Sequence, residues 1–285
     1  MIKLFFVLLL SAILLSSCFD RKKMAVDYFK KALVADSLSD YISAISYYDK
    51  TIKSDTSFAL AYEKLGFLML KISEDTNLVM AYYNKAIKMD PNLFIAYYNR
   101  GALELALKQY NIAINDFAKA IKLDTRLHTT SFAYNGMGLC KHMLKDFAGA
   151  LNYYDSAIII NESNFNGYFD RNAYFNRGCL KIDELKDSMG AISDFNTVLK
   201  TIPGDWEANY QLGLLKKESK NYKDAIINFI RVIKTDSTNS LAYFHLGQCY
   251  ILNGDKENGC IEFNKALELG FKDSTGVIEK NCNNL

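Results

Sequence analysis

Apolar positions along most of the chain recur at helical spacing, as a small residue, an aromatic four residues on and a small or β-branched residue three beyond. Ala113, Phe117 and Ala120, then Ala150, Tyr154 and Ala157, then Ala225, Phe229 and Val232 follow this i, i+4, i+7 pattern, which puts each triad on one helix face. Further copies read Val79, Tyr83, Ala86; Ala191, Phe195, Val198; and Gly259, Phe263, Ala266, while Ala44, Tyr48 and Thr51 mark a degenerate first one. Twelve or thirteen residues ahead of each complete triad stands a glycine, at Gly66, Gly101, Gly138, Gly178, Gly213 and Gly247, with intervals of 35, 37, 40, 35 and 34. An aromatic precedes the glycine by four residues as Tyr62, Tyr97, Tyr134, Tyr174 and Tyr243, with Asn209 the exception. A period of this length with two helical patterns in it predicts one helix pair per period, seven in all.

These columns resemble the tetratricopeptide repeat, whose pattern is an aromatic, then Leu-Gly, Tyr, Ala, Phe, Ala and a closing Pro. The resemblance covers residues 24 to about 271, and both prolines of the chain, Pro91 and Pro203, fall on the closing column, where the second helix has to stop. It implies an all-α fold, a right-handed α-α superhelix of about seven helix pairs. The chain departs from the family pattern at Arg100, Arg177, Lys141 and Lys216, and by insertions before the fourth and fifth units. A mid-helix glycine costs about 1 kcal/mol relative to alanine, so six of them need a packing return. The expected return is close approach: the alanine of the second helix reaches the glycine backbone and the aromatic fills the flanking groove. Each pair leaves an apolar face for the next to cover, so residues 24–271 are expected to form one stack without internal domain boundaries. Residues 272–285, with Val277 and Ile278, are expected to form a capping helix over the last pair.

The amino terminus follows a different pattern. Lys3 precedes an apolar run from Leu4 to Leu15 broken only by Ser11. A dozen residues is short of the roughly 20 that span a bilayer, so residues 1–17 read as a cleaved signal peptide. Leu15-Ser16-Ser17-Cys18 resembles the bacterial lipobox, which implies acylation at Cys18 and a lipidated tether over 18–23. The expected location is the bacterial cell envelope, lipid-anchored and periplasm-facing. Two or three acyl chains hold a protein firmly, at about 0.8 kcal/mol per buried methylene.

Composition narrows the function. Thirty-four basic against 32 acidic residues give a formal charge of +2, far from a nucleic-acid-binding balance. Cys140, Cys179 and Cys249 follow their glycines by one or two residues, where a buried cysteine acts as a small apolar residue, while Cys260 and Cys282 are placed for a possible disulfide closing a loop of about 20 residues. His128, His142 and His245 lie in different units without HExxH, CxxC or acidic neighbours at ligand spacing, so no metal is expected. Gly136-Met137-Gly138 lacks the third glycine and preceding strand of a phosphate loop and reads as the repeat glycine plus coincidence. No nucleophile has an evident base; neither an enzyme nor a cofactor is expected.

In the family that these columns resemble, the first helix of each pair lines a concave groove. The groove positions here are Tyr98, Asn99, Asn135, Phe175, Asn176, Tyr210, Gln211, Phe244 and His245, an aromatic and amide set that suits extended peptides or a partner helix. Asn99 and Asn176 occupy a column where chaperone-binding members grip a peptide's terminal carboxylate, but the accompanying basic residues are missing. The reading is a membrane-anchored scaffold that binds other proteins or peptides; the alternative is an auxiliary subunit presenting a peptide or glycan to an envelope enzyme or transport complex.

Overall fold

The structure, a computed structural model, describes residues 2–73, 75–124, 129–163, 170–273 and 276–282, and of residues 2–18 and 163 the backbone alone. Among the described residues every regular element is helical, and they fall into two compact units that meet in sequence between Asp146 and Phe147. The first unit holds α1 (Ile2–Ser37), α2 (Tyr41–Ser54), α3 (Ala59–Ile72), α4 (Thr76–Met89), α5 (Phe94–Ala106), α6 (Tyr110–Leu123) and α7 (Thr130–Met143). The second holds α8 (Phe147–Ser163), α9 (Arg171–Asp183), α10 (Ser188–Thr201), α11 (Trp206–Glu218), α12 (Tyr222–Thr235), α13 (Ser240–Leu252), α14 (Lys256–Glu268) and α15 (Val277–Cys282). Within each unit every helix packs on the next, α1 with α2 through α6 with α7, and α8 with α9 through α14 with α15. The expected tether at 18–23 is instead a continuation of α1: Phe19 to Lys23 contain no glycine or proline, and the helix runs through them.

The helix ends follow from local chemistry. Asp40, Asp75, Asp187, Asp205 and Asp255 each turn a side-chain oxygen back onto a backbone N–H in the first turn of the helix that follows, as do Asn221 and Asn239. Pro91 and Pro203 each stand two residues past the end of a helix. A left-handed lysine turns the chain between α5 and α6 at Lys108 (φ 61°), between α9 and α10 at Lys186 (φ 55°) and between α11 and α12 at Lys220 (φ 62°), and another, Lys145 (φ 61°), follows α7.

The cores are built from the triads. Tyr48, Tyr83 and Phe117 in the first unit and Tyr154, Phe195, Phe229 and Phe263 in the second are among the largest fully buried side chains, with small residues beside them on the same helix face. Removing one such ring would cost about 3–5 kcal/mol. The glycines serve these rings. A Cβ on Gly66 would lie 2.7 Å from the Tyr83 ring, one on Gly178 2.8 Å from Phe195, one on Gly213 2.8 Å from Phe229, and one on Gly247 2.6 Å from Phe263. The aromatic itself therefore lies against the glycine instead of filling only the flanking groove, and at Gly101 and Gly247 the second-helix backbone also comes close, through the oxygens of Ala113 and Gly259. Gly136 is no coincidence either, since a Cβ there would lie 2.6 Å from Phe117 of the preceding repeat.

At the carboxyl end Ile278 of α15 is buried against Phe244, Phe263 and Ala266, with Phe271 and Val277 around it. A disulfide joins Cys260 of α14 to Cys282 of α15, with Cα atoms 5.7 Å apart.

Candidate partner-binding surface

The position three residues before each repeat glycine carries Tyr98, Phe175, Tyr210 and Phe244, and each ring leans on the buried ring of its own second helix. Centroids are 5.9 Å apart for Tyr98 and Phe117, 5.6 Å for Phe175 and Phe195, 5.9 Å for Tyr210 and Phe229, and 5.5 Å for Phe244 and Phe263. Such offset contacts fix the rings at small entropic cost, which leaves a rigid surface on the first helices. Tyr98, Phe175 and Tyr210 remain partly exposed. Phe244 does not: it is 7% exposed and stacks on Phe271 at 4.2 Å, so the cap covers it. Asn135 is likewise buried, whereas Asn176 and Gln211 are partly buried.

The next position, two before the glycine, reaches back to the preceding repeat. Asn99 Nδ2 donates to Glu63 Oε1 at 2.6 Å, and the His245 ring lies 5.8 Å from that of Tyr210. Glu63 thus fills, in the first complete repeat, the column that carries a ring in four later repeats and Asn135 in another. It is 1% exposed, burial raises its pKa, and Lys64 Nζ stands 3.6 Å from its other oxygen. A search for aromatics passes over it; its place three residues before Gly66 is the signal that identifies it.

The family departures form ion pairs. Arg100 forks onto Asp116 at 2.5 and 2.8 Å and reaches Asn84 at 2.6 Å; Arg177 forks onto Asp194 at 3.0 and 2.5 Å and reaches Asp155 at 2.6 Å. In both repeats an Arg-Gly in the first helix answers an Asp-Phe in the second, a pairing visible in the sequence once the two columns are set side by side. Asp194 also accepts from Lys181 at 2.9 Å, while Arg100 is shared with Glu104, 3.9 Å away. Glu104 is buried, and its pKa is pushed up to about 7 by that burial and by the charge of Asp116. Lys141 pairs with Asp146 at 2.7 Å. Asn209, the exception in the aromatic column, is fully buried; its Nδ2 donates to the backbone oxygens of Pro203 and Asp205, and it accepts from Asn228, which accepts from Lys216. Arg171 stacks over Phe175 at 4.4 Å and binds Asp205 and Glu207, tying α9 to the start of α11.

The side chain of Cys18 lies outside the described residues, and His128 lies outside them altogether. Cys140 and Cys249 are buried and Cys179 partly so; burial pushes the thiols up to about 11, 11 and 12, which keeps them protonated and unreactive. Among the described residues no group of three His, Cys, Asp or Glu side chains could hold a metal, and no helix is long and apolar enough to cross a membrane.

The family model of the tetratricopeptide repeat matches residues 92–163, and a second model of the same repeat matches residues 207–239 and 241–270. The chain is a tetratricopeptide-repeat protein. Tetratricopeptide repeat protein 6 of Homo sapiens is 26% identical to it over 301 residues, spanning 91% of this chain and 55% of that protein; the chain therefore spans about half the length of this curated relative. Among solved structures, a tetratricopeptide repeat protein from Parabacteroides merdae superposes with a TM-score of 0.59 at 17% identity, covering 92% of this chain and 98% of the other. The Cut9-Hcn1 hetero-tetramer of the APC/C gives 0.63 at 14% identity, covering 93% and 54%. MamA from Desulfovibrio magneticus gives 0.53 at 16% identity, covering 64% and 97%. These likenesses concern the fold.

Proposed function

We propose that this protein is a lipid-anchored scaffold of the bacterial cell envelope, facing the periplasm, which gathers partner proteins on the first-helix surface of its repeats and carries out no catalysis of its own. The observation that carries the binding part is the set of rings three residues before the repeat glycines, each fixed on a buried ring and, at Tyr98 in the first unit and Phe175 and Tyr210 in the second, partly exposed. Amides flank it at Asn99, Asn176 and Gln211, and could pair with the backbone of an extended segment. The anchoring part rests on Cys18 at the end of the apolar run, which resembles a lipobox.

One experiment tests both parts. In cells making the full chain, Cys18→Ser should move the protein from the membrane to the soluble fraction, and retention on the membrane would defeat the anchor. Crosslinking and pull-down from native membranes should then return stoichiometric protein partners that are lost when Tyr98, Phe175 and Tyr210 are replaced together by alanine. Phe244 is left in place because it belongs to the core. Undiminished capture by a variant with an unchanged helical circular-dichroism spectrum would move the site elsewhere. A change in envelope enzyme activity without any stable partner would favour presentation of a peptide or glycan.

A further inference from the structure

A cavity of about 350 Å³ opens near the carboxyl end of the second unit, lined by Lys217 of α11, Gln248, Ile251 and Leu252 of α13, Phe263 of α14, and Val277 and Asn281 of α15. Its volume is at the lower end for small-ligand sites, room for one side-chain-sized group with a polar head. Its walls are apolar on Ile251, Leu252, Phe263 and Val277, and its one charge is the Lys217 ammonium.

Among the described residues no carboxylate lies within ion-pair distance of Lys217, and Glu218, its neighbour in sequence, acts on it only at longer range. Nζ donates to Gln248 Oε1 at 2.9 Å and lies 3.0 Å from His245 Nδ1. The imidazole is neutral near pH 7, since burial and the lysine charge push its pKa down to about 4, and its Nδ1 lies 3.0 Å from Lys217 Nζ and 3.1 Å from Gln248 Oε1. The lysine thus has two neutral neighbours for three N–H groups, and in either imidazole tautomer at least one N–H is left for the cavity. A partly buried cation bears a desolvation penalty that neutral partners relieve only in part, and an anion relieves it best. The far wall depends on a covalent link: α15 supplies Val277 and Asn281, is six residues long, and is tied to α14 by the Cys260–Cys282 bridge.

We propose that this cavity anchors a carboxylate carried beside an apolar side chain of a bound peptide, with Lys217 as its counter-charge and the Cys260–Cys282 bridge holding the α15 wall in place. The carboxylate takes the free N–H of Lys217, and the apolar side chain lies against Ile251, Leu252 and Val277. This deepens the peptide-binding reading above and rests on it. A titration with small probes reports on the cavity whether or not any macromolecular partner is captured.

The test is an NMR titration of the full chain with three probes: N-acetyl-leucine, N-acetyl-leucinamide and N-acetyl-glutamyl-leucinamide. The first carries a terminal carboxylate, the second none, and the third a side-chain carboxylate. Backbone resonances of residues 245–252 and 276–282 should shift with at least one acid at roughly millimolar concentration, and about tenfold less tightly with the uncharged amide. The acid that binds identifies the source of the carboxylate. Lys217→Met, which keeps the aliphatic stem, should bring the acid down to the level of the amide, and Lys217→Arg should restore the preference. Equal binding of acid and amide, or an unchanged preference in Lys217→Met, would overturn the assignment. The paired change of Cys260 and Cys282 to serine should weaken the acid several-fold, and unchanged binding would overturn the role given to the bridge. Should that variant lose the last repeat, Val277→Ala with the bridge intact reads the same wall: weaker binding supports its role and unchanged binding refutes it.

Discussion

The two units use one packing rule and differ in the groups that burial shifts most. In the first, Tyr48, Tyr83 and Phe117 fill the core beside two carboxyls, Glu63 and Glu104, whose pKa values burial raises. In the second, Tyr154, Phe195, Phe229 and Phe263 fill an equivalent core beside two bases, His245 and Lys217, whose pKa values burial lowers. Ring against glycine is common to both. The small and aromatic columns thus fix how helices nest, while the columns next to them are free to carry different charged groups in the two units. A repeat template determines shape closely and electrostatics hardly at all.

The sharpest way to break this contrast is to neutralise the matched aspartates. Asp194, 2% exposed, serves both Arg177 and Lys181, so Asp194→Asn leaves Lys181 without a carboxylate and Arg177 with only the half-exposed Asp155, and should destabilise the second unit by about 2–4 kcal/mol. Asp116 shares Arg100 with Glu104, so Asp116→Asn both removes a like charge and leaves Arg100 a carboxylate; a loss of about 1 kcal/mol or less is expected. Hydrogen exchange resolved by residue measures each unit separately, and equal losses would show that the two pairs do the same work.

Acidity should separate the units next, with opposite signs. Glu104 has a folded pKa of about 7 against 4.5 when unfolded, so the first unit is fully stabilised below pH 4.5 and loses that contribution as pH rises through 7. His245 has a folded pKa of about 4 against 6.5, so the second unit holds its contribution above pH 6.5 and loses it as pH falls through 4. Each slope is set first by burial and then by the groups that face it, Asp116 and Arg100 for Glu104, and Lys217 and Gln248 for His245. After screening by water, each is worth roughly 1–2 kcal/mol. Glu104→Gln should flatten the first slope and leave the second; parallel slopes in the two units would refute the contrast.

The smallest effect should be the same in both units. Lys108 and Lys145 in the first, and Lys186 and Lys220 in the second, hold positive φ angles that favour glycine. Each change to glycine should raise stability by about 0.5–1 kcal/mol in thermal unfolding. A gain in one unit alone would mean that the turns differ despite their shared geometry.

The elements themselves were legible in the sequence because small residues and rings at i, i+4, i+7 have only one economical use, and because Pro91 and Pro203 mark where helices stop. The candidate surface was legible in part. Tyr98, Phe175 and Tyr210 could be placed by counting from the glycines, yet the same count could not tell that Phe271 covers Phe244, since that contact depends on how the chain turns after Gly270. Nor did it find Lys217 beside His245 and Gln248, 28 and 31 residues away. Each is an ordinary polar residue on its own helix; only stacking one repeat on the next brings them together. Arg100 and Arg177 read as disturbances of the pattern until their aspartates, 16 and 17 residues on, are considered with them.

The terminal repeat of such an array has a neighbour on one side only, so it is where fraying starts. In this chain the last hairpin cannot simply peel away: with Cys260 and Cys282 joined across a sequence separation of 22, the open form remains a closed ring that has forgone much of the freedom that unravelling would bring, about 3 kcal/mol by loop-closure arithmetic. Under oxidising conditions melting should begin elsewhere in the second unit, and a reductant would return it to the carboxyl end.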